Sequence, residues 1–156
     1  MESIKDENIR RLLEKLGPLI RELEKSPDVE GIAIVSRTGL KIWGYTSSAI
    51  DDEVFSAATA AIVSIGERTT KDLGFGSLSN VTVVGEKGFV VMTQISEDFM
   101  IAVASSNRTK MGYYMLILQR YSKIISMSSK STEDEEIKRD EEALTKAIDA
   151  LEEEEF

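Results

Sequence analysis

The sequence predicts an α/β domain built on a five-stranded, mostly antiparallel sheet with helices on both faces, followed by an extra acidic helix at the C-terminus. Three observations carry that expectation. Five short apolar runs, near 29–36, 40–46, 79–85, 88–95 and 99–105, are separated by tight polar or glycine breaks. Three longer segments show helical spacing of apolar residues or helix-capping signals. Two of the strand runs, "FVVMTQI" and "FMIAVAS", are almost continuously apolar rather than alternating, so both faces of the sheet must be covered.

The elements follow in order. Ile4, Ile9, Leu12, Leu13, Leu16, Ile20 and Leu23 recur at helical spacing among charges, which predicts an amphipathic helix over 4–25 that Gly17-Pro18 kinks or splits. Ser26-Pro27-Asp28 ends it. The run "GIAIVSRTGLKIWG" then reads as a hairpin, with Gly39 supplying a positive φ at the turn. Asp51 is placed to cap a second helix running to about Leu73, with Ile50 and Phe55 as a hydrophobic staple across its start and Gly74 as its terminator. A meander of three strands comes next, broken by Glu86-Lys87 and Ser96-Glu97-Asp98. A third helix over about 109–127 carries Met111, Met115, Leu118 and Ile125 as its apolar stripe. The order is α-β-β-α-β-β-β-α.

Residues 1–128 form one domain in this reading, 129–132 a Ser-rich linker, and 133–156 an acidic amphipathic helix. Thr132 with Glu135 fits a capping box. Glu135 with Arg139, and Glu142 with Lys146, are spaced for i,i+4 ion pairs, and Ile137, Leu144, Ile148 and Leu151 mark a narrow apolar stripe. That stripe can dock on its own domain, pair with a twin helix or bind a partner groove. A stripe so narrow predicts a loosely held appendix, whose removal near Ser131 leaves the stability of the body almost unchanged.

Composition narrows the function. With 156 residues the chain can bury a core without disulfides or a structural metal. It has no Cys and no His, which removes thiol nucleophiles, imidazole acid/base catalysis and the common zinc ligand sets. The net charge of −9 lies entirely beyond residue 132, on a neutral body. No basic stripe exists to neutralise phosphates, so nucleic acid and membrane insertion are not expected. No signal-like or membrane-spanning stretch is evident, and a cytoplasmic location is the expectation.

Several motifs have plain structural accounts. No G-x-x-x-x-G-K-[ST] loop occurs. Gly74-Phe75-Gly76 follows a helix rather than a strand, which makes it a cap rather than a phosphate loop. Asp51-Asp52-Glu53 reads as acidic residues at a helix start rather than a metal site. Among Arg37, Arg68 and Arg108, Arg37 at the hairpin tip is best placed to act as an arginine finger, against the simpler account of a solvated turn residue. No cofactor is expected.

The segment "VFSAATAAIVSIG", 54–66, carries no charge over more than three helical turns. A surface helix normally shows a polar face. Phe55, Ala58, Ile62 and Ile65 can pack on the chain's own sheet. Ala57, Ala61 and Ser64 then form a small uncharged face, covered either by another helix of the same chain or by a second copy about a twofold axis.

"VEGIAIVSRTGLKI", followed by "FSAATAAIVSIGERTTKDLGFGSLSNVTVVGEKGFVVMTQI", an apolar strand and a helix, resembles the Roadblock, or dynein light-chain, domain family over about residues 7–127. The resemblance implies a dimer in which the second helices pair and the third strands join edge to edge, with Val81 and Val83 on one face of that edge. It implies further a non-catalytic platform that binds or regulates a small Ras-like GTPase, with no enzymatic activity of its own. Arg68 and Lys71 are candidates to meet acidic groups of the partner, and Trp43 is a candidate interface anchor, with burial under the first or third helix as the equal alternative. The alternatives are a sensory domain that binds a small ligand, and a structural adaptor without a GTPase partner.

Overall fold

A computed structural model describes residues 2–130 and 143–150. The elements are α1 (Glu2–Lys25), β1 (Val29–Ser36), β2 (Lys41–Thr46), α2 (Asp52–Asp72), β3 (Asn80–Gly85), β4 (Gly88–Gln94), β5 (Phe99–Ser105) and α3 (Met111–Lys130). A further helical segment, α4, spans 143–150. The five strands form one sheet in the order β2-β1-β5-β4-β3, and every neighbouring pair is antiparallel.

Side-chain alternation along the strands creates two faces and two separate apolar clusters. Ile32, Ile34, Phe89, Val91, Ile101 and Val103 pack with α1, α3 and α4 on one face. Ala33, Val35, Met92, Met100, Ala102 and Ala104 pack with α2 on the other.

The cap signals operate as the sequence indicates. The Asp51 side chain accepts from the Val54 N–H at 3.0 Å, and Ile50 and Phe55 join one cluster. At the other end, Phe75 N–H donates to the Thr70 carbonyl and Gly74 N–H to that of Lys71. This is a Schellman cap with Gly74 at φ 77° in the left-handed position. Gly39 turns the hairpin at φ 92°.

Other expectations are corrected. α1 is one helix and is not split at Gly17-Pro18. Its neighbours Leu16 and Leu19 are sealed in the core, and the bond that Pro18 forfeits would have been to the carbonyl of Glu14, an exposed residue. Of the expected α3 stripe, Leu118 and Ile125 are buried and Met111 and Met115 only partly so, while Tyr114, Ile117 and Tyr121 complete the buried face. The two tyrosines supply the bulk that spacing of aliphatic residues alone could not reveal.

α4 docks on its own domain. Leu144 and Ile148 are buried in the α1–α3 cluster, and each contributes about 1.5–3 kcal/mol of burial. Residues 143–150 thus seat on their own domain, one of the three dockings that the sequence leaves open. Thr132, Glu135, Ile137, Arg139, Glu142 and Leu151, with their expected cap, pairs and stripe positions, lie outside the described residues. Among the described residues no helix is long and apolar enough to cross a membrane.

A polar knot joins the start of β1 and the end of β5, which are neighbours in the sheet, to α3. Asp28 accepts from the Tyr114 hydroxyl at 2.7 Å, from the Ser105 hydroxyl at 2.8 Å and from the Lys110 ammonium at 3.3 Å. Burial pushes the Asp28 carboxyl up, but the Tyr114 and Ser105 bonds and the Lys110 charge outweigh it and hold the group below the ordinary Asp value. Burial, followed by the same carboxylate, pushes the Tyr114 phenol up.

Two outcomes follow for stability. A Cβ added at Gly31 would stand 2.8 Å from the Phe55 ring, so Gly31→Ala lowers the melting temperature by several degrees, at a cost of about 1–3 kcal/mol. Because the folded Asp28 pKa is depressed, its stabilisation is present above the ordinary Asp range and is lost as pH falls through the folded value. Thermal melts on an acid series will show Asp28→Asn less stable than wild type near neutrality, with the gap closing as pH falls through that window.

Candidate functional site

The uncharged run of α2 has an inner and an outer side that differ from the sequence expectation. Phe55, Ser56, Thr59, Ala60, Val63 and Glu67 are buried against the sheet. Ala58 and Ile65, which spacing placed inside, face outward, and Ile62 is half-buried. With no charge in residues 54–66 to mark a wet side, the sequence pattern could not fix the rotation of this run. Ala57, Ala61 and Ser64 are exposed in the single chain, on the side away from the sheet. They are joined by Val54 and Ile65, each 66% exposed. Val54, Ala58, Ala61 and Ile65 thus line one apolar ridge at i, i+4, i+7 and i+11.

Nothing in the same chain covers this ridge among the described residues. α1, α3 and α4 all lie on the opposite face of the sheet, which removes the reading in which another helix of the monomer packs over it. Five strands about 4.8 Å apart span about 19 Å between the outer strands, whereas one helix with its side chains is about 10–12 Å across. Two helices cover one face; α2 alone serves the other. It packs mainly over β1 and β2 and meets β3 near its C-terminal end, where Gly66 lets Leu78 and Val81 approach closely.

The remaining half of that face is formed by Val81 and Val83 of β3 with Val90 of β4, brought to one side by the pairing Val81↔Met92 and Val83↔Val90. Val81 and Val90 are partly buried, and Val83 is 43% exposed. β3 is also an edge strand and carries neither Lys nor Pro, the usual guards against edge pairing. The other edge is protected: β2 is half-buried along most of its length, and Lys41 is held 2.9 Å from Asp52.

A charged cluster fixes the C-terminal end of α2. The Glu67 carboxylate is buried and accepts from Arg37 Nη1 at 2.6 Å and from the Leu78 N–H at 2.9 Å, and Lys71 Nζ lies 3.1 Å from its second oxygen. Burial pushes this carboxyl up, but the Leu78 N–H, Lys71 and Arg37 together hold it below the ordinary Glu value. Arg37 also donates to the carbonyls of Leu78 at 2.9 Å and Glu97 at 2.5 Å. It is neither a mobile finger nor a solvated turn residue, because every one of those bonds holds it inward. Glu67 escaped sequence reasoning; the signal was a lone acid placed directly after an uncharged helical run.

The remaining candidates divide between surfaces. Arg68 is exposed on α2, 3.9 Å from Asp72, and Lys71 is shared with Glu67. Trp43 pairs opposite Ile34 and packs half-buried on the α1–α3 face, so it does not share a surface with the other two. Asp51 and Asp52 are engaged in the helix cap and the Lys41 pair. A cleft of about 600 Å³ runs along α1 beside Ile9, Arg10, Leu13, Glu14, Gly17 and Arg21. It lies outside α1, not between helix and sheet.

Comparison with known proteins matches this architecture. The sequence profile of the Roadblock/LC7 domain matches residues 15–105, from the middle of α1 to the end of β5. Two uncharacterized proteins of Methanocaldococcus jannaschii, MJ0310 and MJ1340, are each 24% identical over 102 residues, covering 65% of this chain and 89% of theirs. Among solved structures, Myxococcus xanthus MglB aligns with a TM-score of 0.62 at 21% identity, over 78% of this chain and 95% of its own. The gliding protein MglB of Thermus thermophilus aligns at 0.56 with 11% identity, over 74% and 90%. At these identities the structural likeness is one of fold. The profile match across most of the sheet, together with the α-β-β-α-β-β-β-α order, shows that this chain belongs to the Roadblock/LC7 domain family.

Proposed function

We propose that the chain is a non-catalytic homodimeric platform that binds and regulates a small Ras-like GTPase. The observation that carries the reading is the half-covered sheet face: an apolar α2 ridge lies beside the unguarded β3 edge. A second copy supplies what that face lacks. Its α2 packs against the first about a twofold axis, with Ala57, Ala61 and Ser64 small enough for close helix approach, and its β3 extends the sheet from Val81 and Val83.

The GTPase part of the reading rests on family membership. Roadblock domains serve such GTPases or act as adaptors, and the chain brings neither a phosphate loop nor His or Cys chemistry of its own. The paired α2 helices would form one continuous surface, with Arg68 exposed at its margin to meet acidic groups on the partner. Lys71 contributes there only by sharing its charge with Glu67.

Light scattering at micromolar concentration is expected to give the mass of a dimer; a monomer mass throughout would overturn the pairing. Ala61→Glu sets two carboxylates near the twofold axis and raises the dimer dissociation constant about a hundredfold or more, equivalent to about 2.7 kcal/mol. Mixed with Ras-like GTPases of the same genome in each nucleotide state, the wild type is expected to bind one of them and change its hydrolysis or exchange rate. The A61E variant loses dimerisation and binding together. Binding of no GTPase by an intact dimer would leave the adaptor reading instead.

A further inference from the structure

The free edge of β3 has a hydrogen-bond phase, and that phase limits how another strand can join it. The Gln94 N–H donates to the Ser79 carbonyl at 2.9 Å. Asn80 stands opposite Thr93, so Ser79 and Gln94, one step before and after, are directly opposed and form a hydrogen-bonded pair. In an antiparallel ladder such pairs alternate with non-hydrogen-bonded ones. Val81, Val83 and Gly85 therefore turn their N–H and C=O groups inward to β4. Asn80, Thr82 and Val84 turn theirs outward, to the edge that has no neighbour in the chain.

Both ends of this outward ladder are stopped. Leu78 is the next position of the same phase, but its N–H donates to Glu67 at 2.9 Å and its carbonyl accepts from Arg37 at 2.9 Å. Its one backbone donor is already engaged, so the ladder cannot continue past Asn80. At the other end the chain turns away at Glu86-Lys87, where Gly85 pairs with Gly88. Asn80, Thr82 and Val84 remain, and all three are exposed.

We propose that the second copy, on which the dimer reading above rests, joins β3 to β3 with Thr82 on the twofold axis. Asn80 then pairs with the partner's Val84, Thr82 with the partner's Thr82, and Val84 with the partner's Asn80. Every outward backbone group of both strands is used. An axis one residue away, at Val81 or Val83, engages two of the three positions and leaves the third without a partner. The side chains suit the same register. On the α2 face Val81 meets the partner's Val83 at a non-hydrogen-bonded position, where opposed Cα atoms approach to about 4.5 Å and side chains are closest. On the other face the two Thr82 side chains meet, and Val84, 48% exposed in the single chain, lies beside the partner's Asn80. β3 carries no charged residue, so the two strands meet without repulsion. The Arg37–Glu67 cluster thus acts as a register stop: by holding Leu78 it removes the competing pairing centred on Asn80.

The chain contains no Cys, so introduced thiols report the register without background. Full-length Val81→Cys and Val83→Cys chains carrying tags of different length are co-expressed, purified as a mixture and oxidised. The expected main product is a disulfide that joins the two tags. Each variant alone is expected to cross-link at least tenfold less, because identical residues then lie diagonally about 7–8 Å apart, beyond disulfide reach. Self-linking of either variant as the main product places the axis on that residue and overturns the proposal. Should one of the valine variants fail to fold, Thr82→Cys at the exposed position replaces the pair. Its Cα atoms stand about 5.5 Å apart in this register, and it is expected to link to itself. Light scattering separates the two levels of failure. A dimer mass in which none of these links forms overturns the register alone, whereas a monomer mass overturns the dimer reading and the register with it.

Discussion

A sheet with two apolar faces has to be covered twice, and the coverage available within one chain is unequal. α1 and α3 together match the width of five strands on one side, and α4 fills in beside them. The opposite side has α2 alone. Most other features follow from that imbalance. The side with surplus helix is where the tail can seat, and the side with a deficit presents small uncharged residues and an edge strand with no guard. Hydrophobic burial scales with area, so the uncovered half-face is a standing incentive for association rather than a decorative patch.

The Glu67 cluster explains how a face so sparsely covered is kept in shape. One carboxylate takes bonds from the hairpin tip through Arg37, from the start of β3 through the Leu78 N–H, and from its own helix through Lys71. Arg37 in turn reaches the turn between β4 and β5 at Glu97. Three chain segments, at Arg37, Leu78 and Glu97, are thereby tied to the last two turns of α2. A buried ion pair contributes little net stability, whereas losing one partner of it costs about 3–5 kcal/mol. Its effect is to fix α2 in rotation and position over the sheet, which decides which residues form the outer ridge.

The elements and their order were legible in the sequence because local signals mark them. Asp51 before an apolar run, Gly39 and Gly74 after strand and helix, and the Glu86-Lys87 break each act within a few residues. The rotation of the helices was not legible. The uncharged stretch 54–66 of α2 offers no polar phase, so Ala58 and Ile65 were expected inside and stand outside; in α3 the buried Tyr114 and Tyr121 carry hydroxyls that disguise their packing role. The Arg37–Glu67 pair joins residues thirty apart, and the seat of the tail depends on a groove that exists only once α1 and α3 are assembled. Small residues at Ala57 and Ala61 gave the candidate face from sequence, but Val54 and Phe75, with 66% and 77% exposure, needed the fold.

The placement of α2 and α4 on opposite faces determines valency. Any twofold pairing through α2 would bury one side of each sheet and leave both α4 segments on the outer surface, related by the same axis. The distance between the two outer surfaces would then be fixed by the rigid sheets rather than by a linker. A partner that engaged both at that spacing would gain avidity over one that engaged a single surface, without a new contact at either site. Geometry between the sites, as well as affinity at each, then selects the target.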